Sequence, residues 1–456
     1  MRGLLPESKR RNESPRNLSL SFVMSEKFFM VGNECYSYDS QTNRIATLDR
    51  TAEPLCRDEY CAEGELAAVT WRKTFSELVY DSVHCLSSLV LQTTRACNLR
   101  CEYCAYSGNF KQMKPHSNES MTFDVMRSSI DFFMKNSTES TDLMIIFYGG
   151  EPLLEFMNIQ NAVKYAKSFG RRIRFGISSN GTLLSPHIID WLNRTPDVYL
   201  TVTLNGEQHD IYRLDSEGNG TREAIMKNVS AIRYAYPKLW EERIRFIANF
   251  NSYGELYGLR DFFKSNLGRI PDTLTRINID YANSEISKKF AVNEDFEEKA
   301  RDKLIREYIQ EPDEFLDLMF SAGLNAIHNR GLYKEDTPIF IGSCMPMSWR
   351  LFVRADGTFN ICERASDHIT LGDIDSGYDY NIIKELYYSM RSFARGNCRT
   401  CWAQRLCMYC YQDTLNSEGK MLETFTANEC YNRRKHILDL IKVYIQVMLK
   451  YPEKLT

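Results

Sequence analysis

Cys97-Asn98-Leu99-Arg100-Cys101-Glu102-Tyr103-Cys104, placed just after the apolar stretch Ser88–Thr93, sets the terms for the rest of this 456-residue chain. C-x3-C-x2-C on one short loop suits three corners of a cubane iron–sulfur cluster, which takes up to four thiolates. The fourth iron is then left without a protein ligand, and an open iron can bind a substrate or cofactor. The competing readings are a zinc site and a structural thiol cluster. Zinc usually takes four ligands in C-x2-C-type pairs, and no nearby histidine or fourth cysteine has that spacing.

Bulk composition agrees. Hydrophobic residues at 43% and charged residues at 26% are ordinary for a globular protein. The net charge of −3 gives no global basic field of the kind nucleic acid attracts. No apolar run approaches the ~18 residues of a membrane span, and the N-terminus lacks a signal-peptide core, so a cytoplasmic protein is expected. Fourteen cysteines on such a chain point to metal or redox centres rather than disulfides. Cys35, Cys56, Cys61 and Cys85 are scattered and read as packing or free thiols.

Residues 1–26 have no apolar periodicity and read as a disordered extension, with Met24 a candidate start. Residues 27–87 open with short alternating stretches broken at Gly32-Asn33 and Asp39-Ser40, a small β-rich module. From 88 to 290 strands alternate with helices. The strands are expected at Ser88–Thr93, Leu143–Tyr148, Arg172–Ile177, Val198–Leu204, Arg243–Phe250 and Arg276–Tyr281, with helices at Phe123–Lys135, Phe156–Ser168, Pro186–Asn193, Arg222–Tyr236 and Glu255–Ser265. Six strands with helical crossovers imply an α/β fold with a parallel sheet and right-handed connections. Ligands then sit at the carboxyl ends of the strands, where the three-cysteine loop lies. Residues 291–340 form a helical bridge, 341–432 a cysteine-rich segment, and 433–456 an amphipathic helix whose stripe of Ile437, Leu440, Ile441, Tyr444, Ile445 and Met448 is expected to dock on the core.

With Tyr103 before its last cysteine, the loop resembles the signature of the radical S-adenosylmethionine (radical SAM) enzymes. That family uses a partial six-strand (β/α)6 TIM-like barrel, and residues 88–282 resemble it. The resemblance implies a 4Fe–4S cluster on Cys97, Cys101 and Cys104, with Tyr103 beside the cofactor. Gly149-Gly150-Glu151-Pro152, after the second strand, resembles the motif whose backbone and carboxylate hold the methionyl amine. Ser178-Ser179-Asn180-Gly181, after the third, is similar to the motif facing the ribose and carboxylate, though an Asn-Gly turn reads the same way. Thr203-Leu204-Asn205-Gly206…His209-Asp210…Arg213…Gly218-Asn219-Gly220-Thr221 looks like a run of the SPASM-type branch, with Asn205 where that branch usually has Asp. His209 is expected to be a structural hydrogen-bonder.

Seven more cysteines follow: Cys344-x17-Cys362, Cys398-x2-Cys401-x5-Cys407-x2-Cys410, and Cys430. Two close pairs alone would suit a zinc ribbon, but seven thiols suit one fully and one three-ligated cluster better. The spacing resembles the SPASM domain. By that resemblance Cys344, Cys362 and Cys410 hold one auxiliary 4Fe–4S cluster and Cys398, Cys401, Cys407 and Cys430 a second. Two residues separate Cys407 from Cys410 where three are usual.

The resemblance implies cleavage of S-adenosylmethionine to a 5′-deoxyadenosyl radical and hydrogen abstraction from a ribosomally made precursor peptide, installing a thioether or other cross-link. Residues 27–87 would then recognise the peptide, adding an extended segment to a sheet edge, or serve as a structural cap. A low-potential flavodoxin- or ferredoxin-type donor would supply electrons. One alternative is an anaerobic sulfatase-maturating enzyme that makes formylglycine, for which Asp280 is the candidate base. A non-catalytic iron–sulfur or zinc protein is another, against which the cofactor motifs at 149–151 and 178–181 argue.

Overall fold

The computed structural model describes residues 26–62, 69–70, 73–110, 115–278, 283–333, 339–340, 347–407, 409–416 and 420–455. The candidate start Met24, the candidate base Asp280 and the candidate ligand Cys344 lie outside the described residues.

Alternating apolar residues near the N-terminus build an antiparallel sheet from β1 (Glu26–Val31), β2 (Glu34–Asp39), β3 (Arg44–Leu48) and β4 (Cys61–Ala62), in the order β3-β2-β1-β4. Gly32 takes the left-handed conformation at the β1–β2 turn (φ 59°), which costs a glycine nothing. A ten-residue helix, Phe75–His84, follows, started by a capping box between Thr74 and Glu77. Between them, β5 (Val69–Thr70) pairs in parallel with β12 (Ile339–Phe340), from the far end of the chain.

The central sheet runs through β6 (Ser88–Thr94), β7 (Leu143–Gly149), β8 (Ile173–Ser179), β9 (Val198–Thr203), β10 (Ile244–Phe250) and β11 (Thr273–Arg276), each parallel to the one before. On β7, Leu143, Ile145 and Phe147 are buried while Met144, Ile146 and Tyr148 are half-exposed; β9 and β10 repeat that alternation. The period of two gives each strand one face against the helices and one lining the interior. The covering helices carry matching apolar residues, among them Ile130 and Phe133, Ile159 and Val163, Ile188 and Leu192, and Val229 and Ile232. Thr122 and Ser185 cap the first and third of these helices through side-chain oxygens, as short polar residues do at helix starts.

Two features depart from the sequence reading. The sixth strand is Thr273–Arg276 rather than Arg276–Tyr281; β11 is a short edge strand with no fully buried residue, and Ile277, just beyond it, donates to the Phe250 carbonyl. Among the described residues the sheet also has eight strands. Beside β6 lies β13 (Arg350–Val353), parallel to it, and beyond that β14 (Phe359–Asn360), antiparallel to β13. The C-terminal segment is thus hydrogen-bonded into the barrel sheet. β6, with neighbours on both sides, is buried along its whole length.

Helices Glu294–Gln310 and Glu314–His328 lead to that segment. The last helix spans Ala427–Lys450, six residues longer at its start than the apolar stripe indicates, because Thr426 and Glu429 form a capping box there. Ile437, Ile441, Tyr444 and Ile445 are buried, and Leu440 packs over Gly323 of the helix Glu314–His328, so this helix docks on the core.

Candidate active site

The three-cysteine loop leaves the carboxyl end of β6. Cys101 is buried and Cys97 and Cys104 are half-buried. Main-chain N–H groups point at two of the sulfurs: Leu99 to Cys97 Sγ at 3.4 Å and Tyr106 to Cys104 Sγ at 3.5 Å, an arrangement that favours thiolate. Burial works the other way, pushing the Cys97 thiol up to about 11 and Cys104 up to about 12. These thiols ionise where positive charge offsets the lost solvation, as a bound metal would supply.

Gly149 and Gly150 serve the main chain of the cysteine loop itself. A Cβ on Gly149 would overlap the Thr94 carbonyl oxygen, and one on Gly150 that of Ala96. Gly150 N–H donates to Thr94 and Glu151 N–H to Ala96, both at 2.8 Å. Gly149 also has φ 132°, a region closed to other residues. Glu151 is fully buried. Its carboxylate accepts from Leu153 N–H (3.0 Å), Ser179 Oγ (2.8 Å) and Asn180 N–H (2.7 Å), locking the end of β7 to the end of β8. Burial raises its pKa and these hydrogen bonds counter the rise. Asn180 reaches the cysteine loop, donating to Asn98 Oδ1 at 2.8 Å and pointing its amide at Cys97 Sγ at 3.9 Å. Ser178 is half-exposed beside it.

Tyr103 is a polar hub. Its hydroxyl oxygen accepts from Arg213 (2.9 Å), Asn249 (3.2 Å) and Asn205 (3.4 Å), and its ring meets Tyr212 and Phe290 edge-on. Asn205 is suited to this as an amide: its oxygen accepts Asn249 N–H at 2.9 Å while its nitrogen donates to Tyr103, which a carboxylate could not do. His209 is buried and structural, its Nδ1 accepting Asn205 N–H and its Nε2 meeting Thr221 Oγ1, both at 3.1 Å. Burial, then Arg213 and Arg222, lower its pKa to about 2, so the ring stays neutral.

Sequence reasoning gave no site role to Arg213 or Asn249. Arg213 stands in the quoted run but carries no spacing signal; Asn249 is the interior-facing polar residue at the end of β10. Arg213 is buried, electrostatically coupled to Cys101 and Cys104, and its Nε has no hydrogen-bond partner among the described residues. An orphaned cationic donor beside three thiols fits an anionic group held there, so the residues present suit a thiolate-ligated cluster and a carboxylate-bearing cofactor.

The C-terminal thiols fall into two groups. Cys398 feels the charges of Cys401, Cys407 and Cys430, while Cys362 feels that of Cys410. Cys398 ends the helix Tyr380–Cys398 and Cys430 lies in the first turns of the last helix, where the dipole favours an anion. All thirteen described cysteines are free. Tyr148, half-exposed at the end of β7, feels both Cys104 and Cys362, so the loop cysteines and the first C-terminal group flank one end of the barrel.

A parallel β/α sheet whose first strand ends in three thiols, with polar turns ending the next two, is suited to hold a thiolate-ligated cluster and a small cofactor at the strand ends. Residues 91–241 match the Radical SAM superfamily, and a domain of that kind implies a 4Fe–4S cluster and S-adenosylmethionine. A cysteine-type anaerobic sulfatase-maturating enzyme of Clostridium novyi is 26% identical over 188 residues, 39% of this chain and 48% of that enzyme. The structure of anSMEcpe with bound AdoMet and Kp18Cys peptide shares the fold, with TM-score 0.58 and 17% identity over 79% of this chain and 99% of that one. Streptococcus suis SuiB bound to precursor peptide SuiA aligns with TM-score 0.51 and 13% identity, over 89% of this chain and 98% of that one. The chain spans about half the length of the curated relatives it matches.

Proposed function

We propose that this chain modifies a ribosomally made precursor peptide, installing a thioether or other cross-link. The observation that carries the reading is the 3.0 Å pair between Arg95, two residues before Cys97, and Asp367, five residues after Cys362: a peptide entering that end of the barrel meets both cysteine groups. The SuiB complex, itself bound to a precursor peptide, supports the same substrate class. When bound, the cluster and S-adenosylmethionine supply a 5′-deoxyadenosyl radical that takes hydrogen from an unactivated C–H. The chain's own residues orient and shield. Gly149–Glu151 and Asn180 fix the cofactor turns against the cysteine loop, Arg213 offers its charge to an anion, and the packed Tyr103, Tyr212 and Phe290 rings keep water out. We assign Cys344, Cys362 and Cys410 to one auxiliary 4Fe–4S cluster and Cys398, Cys401, Cys407 and Cys430 to another. Residues 27–87 we assign to peptide recognition, and the reductant to the flavodoxin or ferredoxin type.

Formylglycine formation on a sulfatase is the second reading, supported by the Clostridium novyi relative and the anSMEcpe complex. The test is anaerobic reconstitution, addition of dithionite and S-adenosylmethionine, and assay of 5′-deoxyadenosine with and without peptide. Cys101→Ala should abolish cofactor cleavage. Cys362→Ala should keep uncoupled cleavage and lose peptide modification. Cleavage surviving in Cys101→Ala would sink the site assignment. A product lacking two hydrogens that forms no hydrazone supports cross-linking, whereas an aldehyde trapped as a hydrazone, formed from cysteine with sulfur replaced by oxygen or from serine with loss of two hydrogens, establishes the sulfatase reading.

A further inference from the structure

The cysteine loop is tied at both ends to the C-terminal segment. Upstream, Arg95 stands two residues before Cys97 and is buried, with a guanidinium nitrogen 3.0 Å from the Asp367 carboxylate and another 3.8 Å from Glu119. Asp367 lies five residues after Cys362 and is itself held by Arg354, from the β13–β14 turn, at 3.5 Å. Arg354 is buried as well, and it donates to the Asp367 and Ile369 carbonyls at 3.0 and 2.6 Å. Downstream, Tyr106 stands two residues past Cys104. Its hydroxyl accepts from Gln92 Nε2 at 2.7 Å, and Gln92 Oε1 accepts the Ala355 N–H at 3.2 Å. The Arg95 guanidinium sits 5.3 Å from the Tyr106 ring centre, which joins the two ties into one buried assembly.

A buried ion pair is a poor way to gain stability, since an apolar pair of the same volume often does as well; its best-attested use is to select one arrangement over others. Here the arrangement selected is that of the loop bearing Cys97, Cys101 and Cys104 relative to the segment bearing Cys362. We propose that Asp367 is a positioning residue for the first cluster's ligands: acting through Arg95, it fixes the three-cysteine loop, so that the C-terminal segment sets the geometry of the radical SAM centre. This rests on the radical SAM reading of the loop and deepens it.

The test is timed alkylation of the full-length, iron-free chain, read cysteine by cysteine by mass spectrometry. Asp367→Asn, nearly isosteric, should raise the rates at Cys97, Cys101 and Cys104 about tenfold and leave Cys398, Cys401, Cys407 and Cys430 unchanged. Arg95→Gln should do the same, and the double variant should add nothing further, as expected of two residues acting as a unit. Asp367→Glu should recover part of the protection. Unchanged loop rates overturn the proposal, and so does a uniform rise at all cysteines, which would mark a plain loss of stability. None of these readouts uses turnover: a parent protein that forms no 5′-deoxyadenosine would refute the proposed function and leave the rates as they stand.

Discussion

At Gly149 and Gly150 the turn after β7 lies main chain against main chain with the start of the cysteine loop, so neither position has room for a methyl group. Gly150→Ala should cost about 3 kcal/mol of unfolding free energy and lower the iron content of the reconstituted protein; urea unfolding and an iron assay check both. His209 makes a prediction of another kind. Its folded pKa of about 2 lies below the ordinary 6.5, so the unfolded chain binds a proton that the folded chain refuses. The stability it contributes is present above pH 6.5 and lost as pH falls, at about 1.4 kcal/mol per unit. His209→Gln should remove that slope, and the difference between parent and variant in urea unfolding from pH 6.5 to 4.5 measures it.

The elements differ in how plainly the sequence announces them. β6 to β10 fall within two residues of their expected bounds, and on β7, β9 and β10 the reason is that Leu143, Ile145 and Phe147, and their counterparts, must face the helices at a period of two. β11 does not, because Thr273-Leu274-Thr275-Arg276 carries a single apolar residue and its one neighbour, β10, supplies the pairing. β13 is illegible for a different reason: Arg350-Leu351-Phe352-Val353 is a short apolar run, and nothing near it reveals that its partner is Ser88–Leu91. The candidate site divides along the same line. The loop cysteines stand out in the sequence because the chemistry proposed for them ties residue type to spacing. The Tyr103–Arg213–Asn249 hub does not, because the fold assembles it from three separate segments. A chain ending at residue 340 should expose the outer edge of β6 and sediment as aggregate, since an unpaired buried strand is a template for association; a truncated chain that stays dispersed at the parent's concentration would count against β13 as that strand's cover.

Over the whole molecule, the three clusters proposed for the barrel loop and the two C-terminal cysteine groups make a quantitative prediction about metal. Full reconstitution should give about twelve irons per chain, and replacing Cys398 and Cys401 together by Ser should leave about eight, with no zinc in either sample. Among the described residues no helix is long and apolar enough to cross a membrane. The pairing of Ser88 with Arg350 also governs how the chain is made. At roughly 5–20 residues per second, roughly 260 residues of synthesis separate β6 from its outer neighbour, so that edge waits on the order of 13–50 s in a growing chain. Asp367 emerges later still, after the loop it holds through Arg95. Iron delivered to the nascent chain would meet a loop whose anchor has not yet been made.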